Sequence, residues 1–154
     1  MPRVRYDRLP TEQTHPRSRD LDRLSPGQLI ALMNREDARV VRAVERQRRQ
    51  IARAIELIAY GLRCGGRLFF LGAGTSGRLG VIEAAECPPT FHTAPSLVQA
   101  FIAGGRGAVF RSAEGAEDRA ADARTLVRRR IRSGDVVVGI AASGVTPFVT
   151  AGLG

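Results

Sequence analysis

The sequence predicts an α/β fold: a parallel sheet covered by helices on both faces and preceded by a helical segment. Three observations carry this. Short apolar runs of strand length recur at 67–71, 97–103 and 135–141. Helical stretches, about 76–86 and about 115–131, lie between them, which gives strand and helix in alternation. Right-handed crossovers turn such an alternation into a parallel sheet. Finally, a glycine-rich turn, Gly72–Gly77, joins the first strand directly to its helix.

Residues 1–22 hold Pro2, Pro10 and Pro16 among charged residues and read as a flexible arm. The helical segment, 23–66, opens on Ser25-Pro26-Gly27-Gln28, with Ser25 as N-cap, proline at the first helical position and Gln28 completing a capping box. A short helix is expected to about Met33. Asn34, with Asp37 behind it, restarts a longer one in which Val40, Val44, Ile51, Ile55, Ile58 and Leu62 recur at helical spacing up to Gly65-Gly66. That stripe suits a core face or a dimer face. Residues 67–154 form the sheet domain. In it Arg67–Leu71 reads as a buried parallel strand, and the last run, VVVGIAAS, is apolar throughout and reads as a central one.

Composition bounds the function. With 154 residues and 44% hydrophobic content the chain is globular and holds one sizeable core. No apolar run approaches the roughly 20 residues of a spanning helix, and Met1–Asp22 has no apolar centre of the signal-peptide kind. Cys64 and Cys87 give neither a disulfide framework nor metal-ligand spacing, so a reducing cytoplasm is expected. The net charge of +9 rests on 24 basic residues, all arginine. Its dense groups, Arg46, Arg48, Arg49 and Arg53, then Arg128, Arg129, Arg130 and Arg132, fit solvated helix faces, and aromatics at 5% supply no stacking platform. Neither nucleic acid nor membrane is an expected partner.

The stretch Leu71–Phe91, LGAGTSGRLGVIEAAECPPTF, is the most informative. Backbone N–H groups at a helix start lack intrahelical partners and sit at the positive end of the dipole, so the turn suits an anion. Gly72, Gly74 and Gly77 also fit a dinucleotide fingerprint. That fold places an acid at the end of the next strand to hold the ribose, and 97–103 ends instead in Gly104-Gly105. Thr75 and Ser76 offer hydroxyls to a single phosphate, with a plain helix cap as the alternative. Ser143-Gly144-Val145-Thr146 repeats such a turn after the third strand. Of the carboxylates, Glu86 falls where Pro88 and Pro89 should stop its helix, and Glu117 in the first turn of the 115–131 helix. Glu83, Glu114 and Asp118 compete with them, and spacing alone does not choose. Arg78 suits either a phosphate or an ion pair with Glu83, while His15 and His92 have no evident partner.

GAGTSGRLG followed by EAAECPPTF resembles the N-acetylmuramic acid 6-phosphate etherases, proteins of the sugar isomerase (SIS) domain class that have a relative in the glucokinase regulatory protein. The resemblance extends in order through Thr11-Glu12, Asp20–Asp22, LVQAFIAGG at 97–105, EGAED at 114–118 and DVVVGIAASGVTP at 135–147. It implies a three-layer SIS fold and a phosphosugar held by Gly74, Thr75, Ser76, Gly77, Ser143, Gly144 and Thr146. Glu86 and Glu117 become the catalytic acid–base pair. The implied reaction cleaves the D-lactyl ether of N-acetylmuramic acid 6-phosphate by elimination and water addition, with no metal or redox cofactor. A homodimer is implied, and a non-catalytic phosphosugar-binding module is the rival. Two departures stand out: Val145 where the family usually has arginine, and His92 where it usually has glycine. Etherases also continue past the position of Gly154, through further strands, a serine-rich loop and a helical region. The expectation is therefore an amino-terminal half, little active alone and self-associating through 36–63 or an uncovered sheet edge.

Overall fold

The computed structural model describes residues 5–154 and divides after Leu57 into two compact units. Residues 1–4, with Pro2 of the expected arm, lie outside the described residues. In the first unit three single 3-10 turns, Tyr6–Arg8, Pro10–Glu12 and Leu21–Arg23, lead to helix α1, Pro26–Arg46. The capping box forms as read: Ser25 Oγ accepts from Gln28 N at 3.3 Å, and Gln28 Oε1 accepts from Ser25 N at 2.9 Å. No second helix starts at Asn34. A helix already nucleated gains a bond with each added residue, and neither glycine nor proline interrupts 28–46, so α1 runs on to Gln47. Helix α2, Arg48–Arg63, follows and continues into the second unit. Along the apolar stripe Val40, Val44, Ile51 and Ile55 are 42% to 59% exposed among the described residues. His15 does find a partner. Glu36 draws His15 Nε2 to 3.3 Å, Arg17 Nη1 to 3.0 Å and Arg39 Nη1 to 2.7 Å, which ties part of the amino-terminal segment to α1.

The second unit is built on a three-stranded parallel sheet: β1, Leu68–Gly72, β2, Val98–Ile102, and β3, Val136–Ile140, in the order β2-β1-β3. Each strand lies within a residue of its expected bounds. The position of β3 differs from expectation, because it lies at an edge of the described sheet and β1 is central. Its apolar run reflects coverage of both faces, not its place in the hydrogen-bond order. Helix α3, Gly74–Phe91, packs on one face, where Gly80 meets Phe70 and Ile140. On the other face lie α5, Ala120–Arg130, and α6, Pro147–Leu153. There Leu71, Ala103, Ala116, Ala123, Phe148 and Val149 form the buried core. Phe70 and Leu71 face opposite ways because successive strand side chains alternate.

Helix α3 does not stop at Glu86. It passes through Pro88 and Pro89 to Phe91 and ends at His92 in the left-handed region at φ 55°. Proline's fixed φ is itself helical, and its cost is the lost donor. Here two bonds go, those to the Ala84 and Ala85 carbonyls, near the end of a helix anchored on the sheet. Glu117 likewise falls outside the helix expected for it. Gly115, at φ 72°, starts a separate 3-10 turn, Ala116–Asp118, and the non-helical Arg119 divides it from α5.

The amino ends of β1 and β3 are joined by a pair that residue spacing gives no hint of. The Asp135 carboxylate, with only 4% of its side chain exposed, accepts from Arg67 N at 3.0 Å, Arg67 Nε at 3.1 Å, Arg67 Nη2 at 2.6 Å and Arg132 N at 2.8 Å. The Arg67 guanidinium beside it lowers the Asp135 pKa to about 2. Because the folded value lies below the unfolded one, the stabilisation is whole above about pH 4 and is lost as the pH falls toward 2. Asp135→Asn is expected to cost about 2 kcal/mol in urea unfolding at pH 7, with the difference from wild type shrinking through that acid window. A difference independent of pH would contradict this assignment.

Candidate active site

The register of the sheet fixes where the functional turns begin. Gly72 pairs with Ile102 on one side and Ile140 on the other, so the loops after all three strands leave from one edge. This carboxyl edge carries the candidate site, as in open parallel sheets generally.

The first turn is shaped by close approach. A Cβ on Gly72 would stand 2.7 Å from Gly77 N, and one on Gly77 would stand 2.6 Å from Ile102 Cγ1 and 2.8 Å from Gly72 O. Gly72 and Gly77 therefore let the end of β1 and the first turn of α3 touch. Gly74 has open space around it but sits at φ 54°, where L side chains are strained. Packing and backbone conformation thus account for the glycines that also fit a dinucleotide pattern, and β2 runs into Ala103-Gly104-Gly105 without an acid. The N-cap of α3 is Ala73, which makes no side-chain cap, so Thr75 and Ser76 are not the capping residues. Ala73 O accepts from Gly77 N at 3.1 Å. The N–H groups of Gly74, Thr75 and Ser76, in the first turn, have no helical partners and share that turn with two hydroxyls.

The second turn starts from β3, beside β1. Ser143 Oγ accepts from Val145 N at 3.3 Å, and Gly144 takes φ 71°. Thr146 is the N-cap of α6, yet its hydroxyl caps nothing. Its carbonyl instead accepts from Thr150 N at 2.9 Å and Thr150 Oγ1 at 3.2 Å.

Glu117 belongs to the same edge. Its neighbour Ala116 is 3% exposed and packs with Leu71, Ala103 and Phe148, while Glu117 itself is exposed. Glu86 is placed differently. It lies ten residues past Ser76 on α3, or about 15 Å along the axis at ~1.5 Å per residue, back toward the amino ends of the strands. Leu79, Ile82, Glu83 and Glu86 fall at helical spacing on one face, and all are exposed. The structure thus gathers both hydroxyl-bearing turns and Glu117 at one edge, with Glu86 a helix length away.

Arg78 forms no ion pair with Glu83. Its Nε donates to the Val109 carbonyl at 2.9 Å, in a short helix α4, Gly107–Phe110, that the sequence reading did not contain. Cys64 and Cys87 are free thiols, and no group of three or more metal-ligating side chains occurs among the described residues. No helix of the described residues is long and apolar enough to cross a membrane.

A central parallel strand flanked by two others, with hydroxyl-bearing turns on one carboxyl edge and helices on both faces, is the arrangement of an open α/β ligand-binding domain. Residues 50–154 match the family profile described as the glucokinase regulatory protein N-terminal SIS domain, and the chain belongs to that SIS family. Curated relatives named N-acetylmuramic acid 6-phosphate etherase include those of Rippkaea orientalis, 57% identical, and Nostoc sp., 58% identical. Each aligns over 142 residues, covering 92% of this chain and 46% of the relative. The relative of that name from Symbiobacterium thermophilum is 51% identical over 150 residues, which are 97% of this chain and 50% of the relative. The chain thus spans about half the length of the curated relatives it matches. The family resemblance read from the motifs holds, as does the α/β fold with its parallel sheet.

Proposed function

We propose that this chain is the site-bearing SIS portion of a cytoplasmic etherase that cleaves the D-lactyl ether of N-acetylmuramic acid 6-phosphate, giving N-acetylglucosamine 6-phosphate and D-lactate. The observation that carries the reading is the convergence of two hydroxyl-bearing turns and Glu117 on one sheet edge. In this reading the free N–H groups of 74–76 and the hydroxyls of Thr75, Ser76, Ser143 and Thr146 take the phosphate. Gly77 contributes by packing and Gly144 by its backbone shape. With the sugar ring open, the C2 proton is acidic beside the C1 aldehyde, and Glu117 removes it as general base. The electron pair left behind forms the C2–C3 double bond as the C3–O bond breaks, and Glu86 protonates the departing lactyl oxygen. Water then adds at C3 and a proton returns to C2, so the sum is substrate plus water. Every step is proton transfer, elimination or addition, and the reading assigns no cofactor.

The reading includes a homodimer. Glu86, about 15 Å along α3 from Ser76, is farther than one hexose phosphate spans, so a single copy does not set both carboxylates on one sugar. Leu79 and Ile82, 53% and 55% exposed beside Glu86, offer a face on which a second copy brings its own Glu86 forward. The free Cys64 and Cys87 fit a reducing compartment. Because the curated relatives carry about as much chain again, residues 1–154 by themselves are proposed to release little lactate.

Incubating the full-length protein, as its gene encodes it, with N-acetylmuramic acid 6-phosphate and assaying D-lactate tests the reading. Lactate release is the expected result. Saturable binding without lactate would instead make the protein a phosphosugar-binding regulatory module.

A further inference from the structure

Arg78 stands one helical turn past Thr75 and is half-buried, and its guanidinium crosses to another element. There Nε donates to the Val109 carbonyl at 2.9 Å, at the end of α4. In a single helical turn the last carbonyls have no donors of their own, so this bond satisfies a group that α4 cannot. The loop it holds is a defined one. Gly104 and Gly105, at φ 82° and 72°, turn the chain back after β2. Ala108 is 4% exposed, and a Cβ on Gly104 would meet Ala113 at 2.7 Å and Ala108 at 3.2 Å. The same loop then runs through Gly115 to Glu117. One side chain therefore links the helix that starts at the Thr75–Ser76 turn to the loop that ends at Glu117.

We propose that Arg78 is a positioning residue: by bonding the Val109 carbonyl it fixes the 104–117 loop against the first turn of α3, and so sets Glu117 relative to the bound phosphate. The proposal rests on the etherase reading for its catalytic consequence but not for its structural one. The Nε bond uses one of the five guanidinium donors on the loop, and the split between KM and kcat separates this role from that of a phosphate ligand.

The test uses full-length protein carrying Arg78→Ala or Arg78→Lys. Arg78→Ala is expected to lower kcat for lactate release about 10- to 100-fold with KM within about twofold, since a lost charge-assisted bond misplaces the base without removing a phosphate contact. Arg78→Lys keeps the charge and one donor and is expected to recover part of kcat. Independently of activity, Arg78→Ala is expected to raise amide hydrogen exchange across 104–117 while exchange in β1 stays unchanged. If wild type releases no lactate the etherase reading fails, and the exchange result still decides the role of Arg78. Should Arg78→Ala fail to fold, Arg78→Lys carries both readouts. A raised KM with unchanged kcat would place the guanidinium on the phosphate and overturn the proposal, as would unaltered exchange in the loop.

Discussion

Glu117→Gln is expected to lower D-lactate release by about 10²- to 10⁴-fold, the range a positioned general base contributes, and to abolish solvent-deuterium incorporation at C2 of the sugar. The substitution keeps the shape of the side chain and removes only its basicity. Glu117 extends from a turn whose neighbour Ala116 is locked in the core, so the loss should fall on chemistry and leave the fold intact. Glu86→Gln is expected to lose lactate release as well, yet to keep some C2 exchange, because deprotonation precedes departure of the lactyl group. Mass spectrometry of recovered substrate separates the two variants. Exchange surviving in Glu117→Gln but not in Glu86→Gln would reverse the assignment.

Gly72→Ala should be among the most destabilising single changes in the sheet domain, costing about 3 kcal/mol. Its Cβ would stand 2.7 Å from Gly77 N, 2.8 Å from Gly77 Cα and 2.9 Å from Ser76 C, all of them backbone atoms that no rotamer change moves away. Either the end of β1 or the first turn of α3 must shift, and the second disturbs the N–H groups assigned to the phosphate. Gly74→Ala makes a useful contrast. Its surroundings are open, and its φ of 54° is the only obstacle, for a cost of about 1 kcal/mol. Urea unfolding of the two variants checks the order. Equal losses, or a neutral Gly72→Ala, would show that the strand–helix contact is not the constraint described.

What could be read from the sequence was local. Apolar runs bounded by glycine gave each strand to within a residue, and Ser25 with Gln28 gave the start of α1, because these signals reside in a few adjacent side chains. The end of α3 was not legible. Proline rules describe the helix alone, whereas packing along the sheet carries α3 past Pro88 and Pro89. The central position of β1 was hidden for a similar reason: full apolarity reports two covered faces, and β3 has them at an edge of the described sheet. At the site, the motifs named the two turns and Glu117, and the shared register of Gly72, Ile102 and Ile140 brings these together. The separation of Glu86 from that edge was already implicit in the spacing, since ten helical residues cannot be short. The bonds of Arg67 to Asp135 and of Arg78 to Val109 span 68 and 31 residues and leave no periodic trace. Only the folded chain reveals them.

The proposed reaction is an elimination across C2 and C3 at the carboxyl edge of the sheet. The most direct test is to run the reaction of the full-length wild-type protein in deuterium oxide and to compare deuterium at C2 of the product N-acetylglucosamine 6-phosphate with D-lactate released. About one deuterium at C2 is expected for each lactate, because the proton taken by Glu117 is replaced from solvent. Lactate released with C2 still carrying its original hydrogen would contradict it.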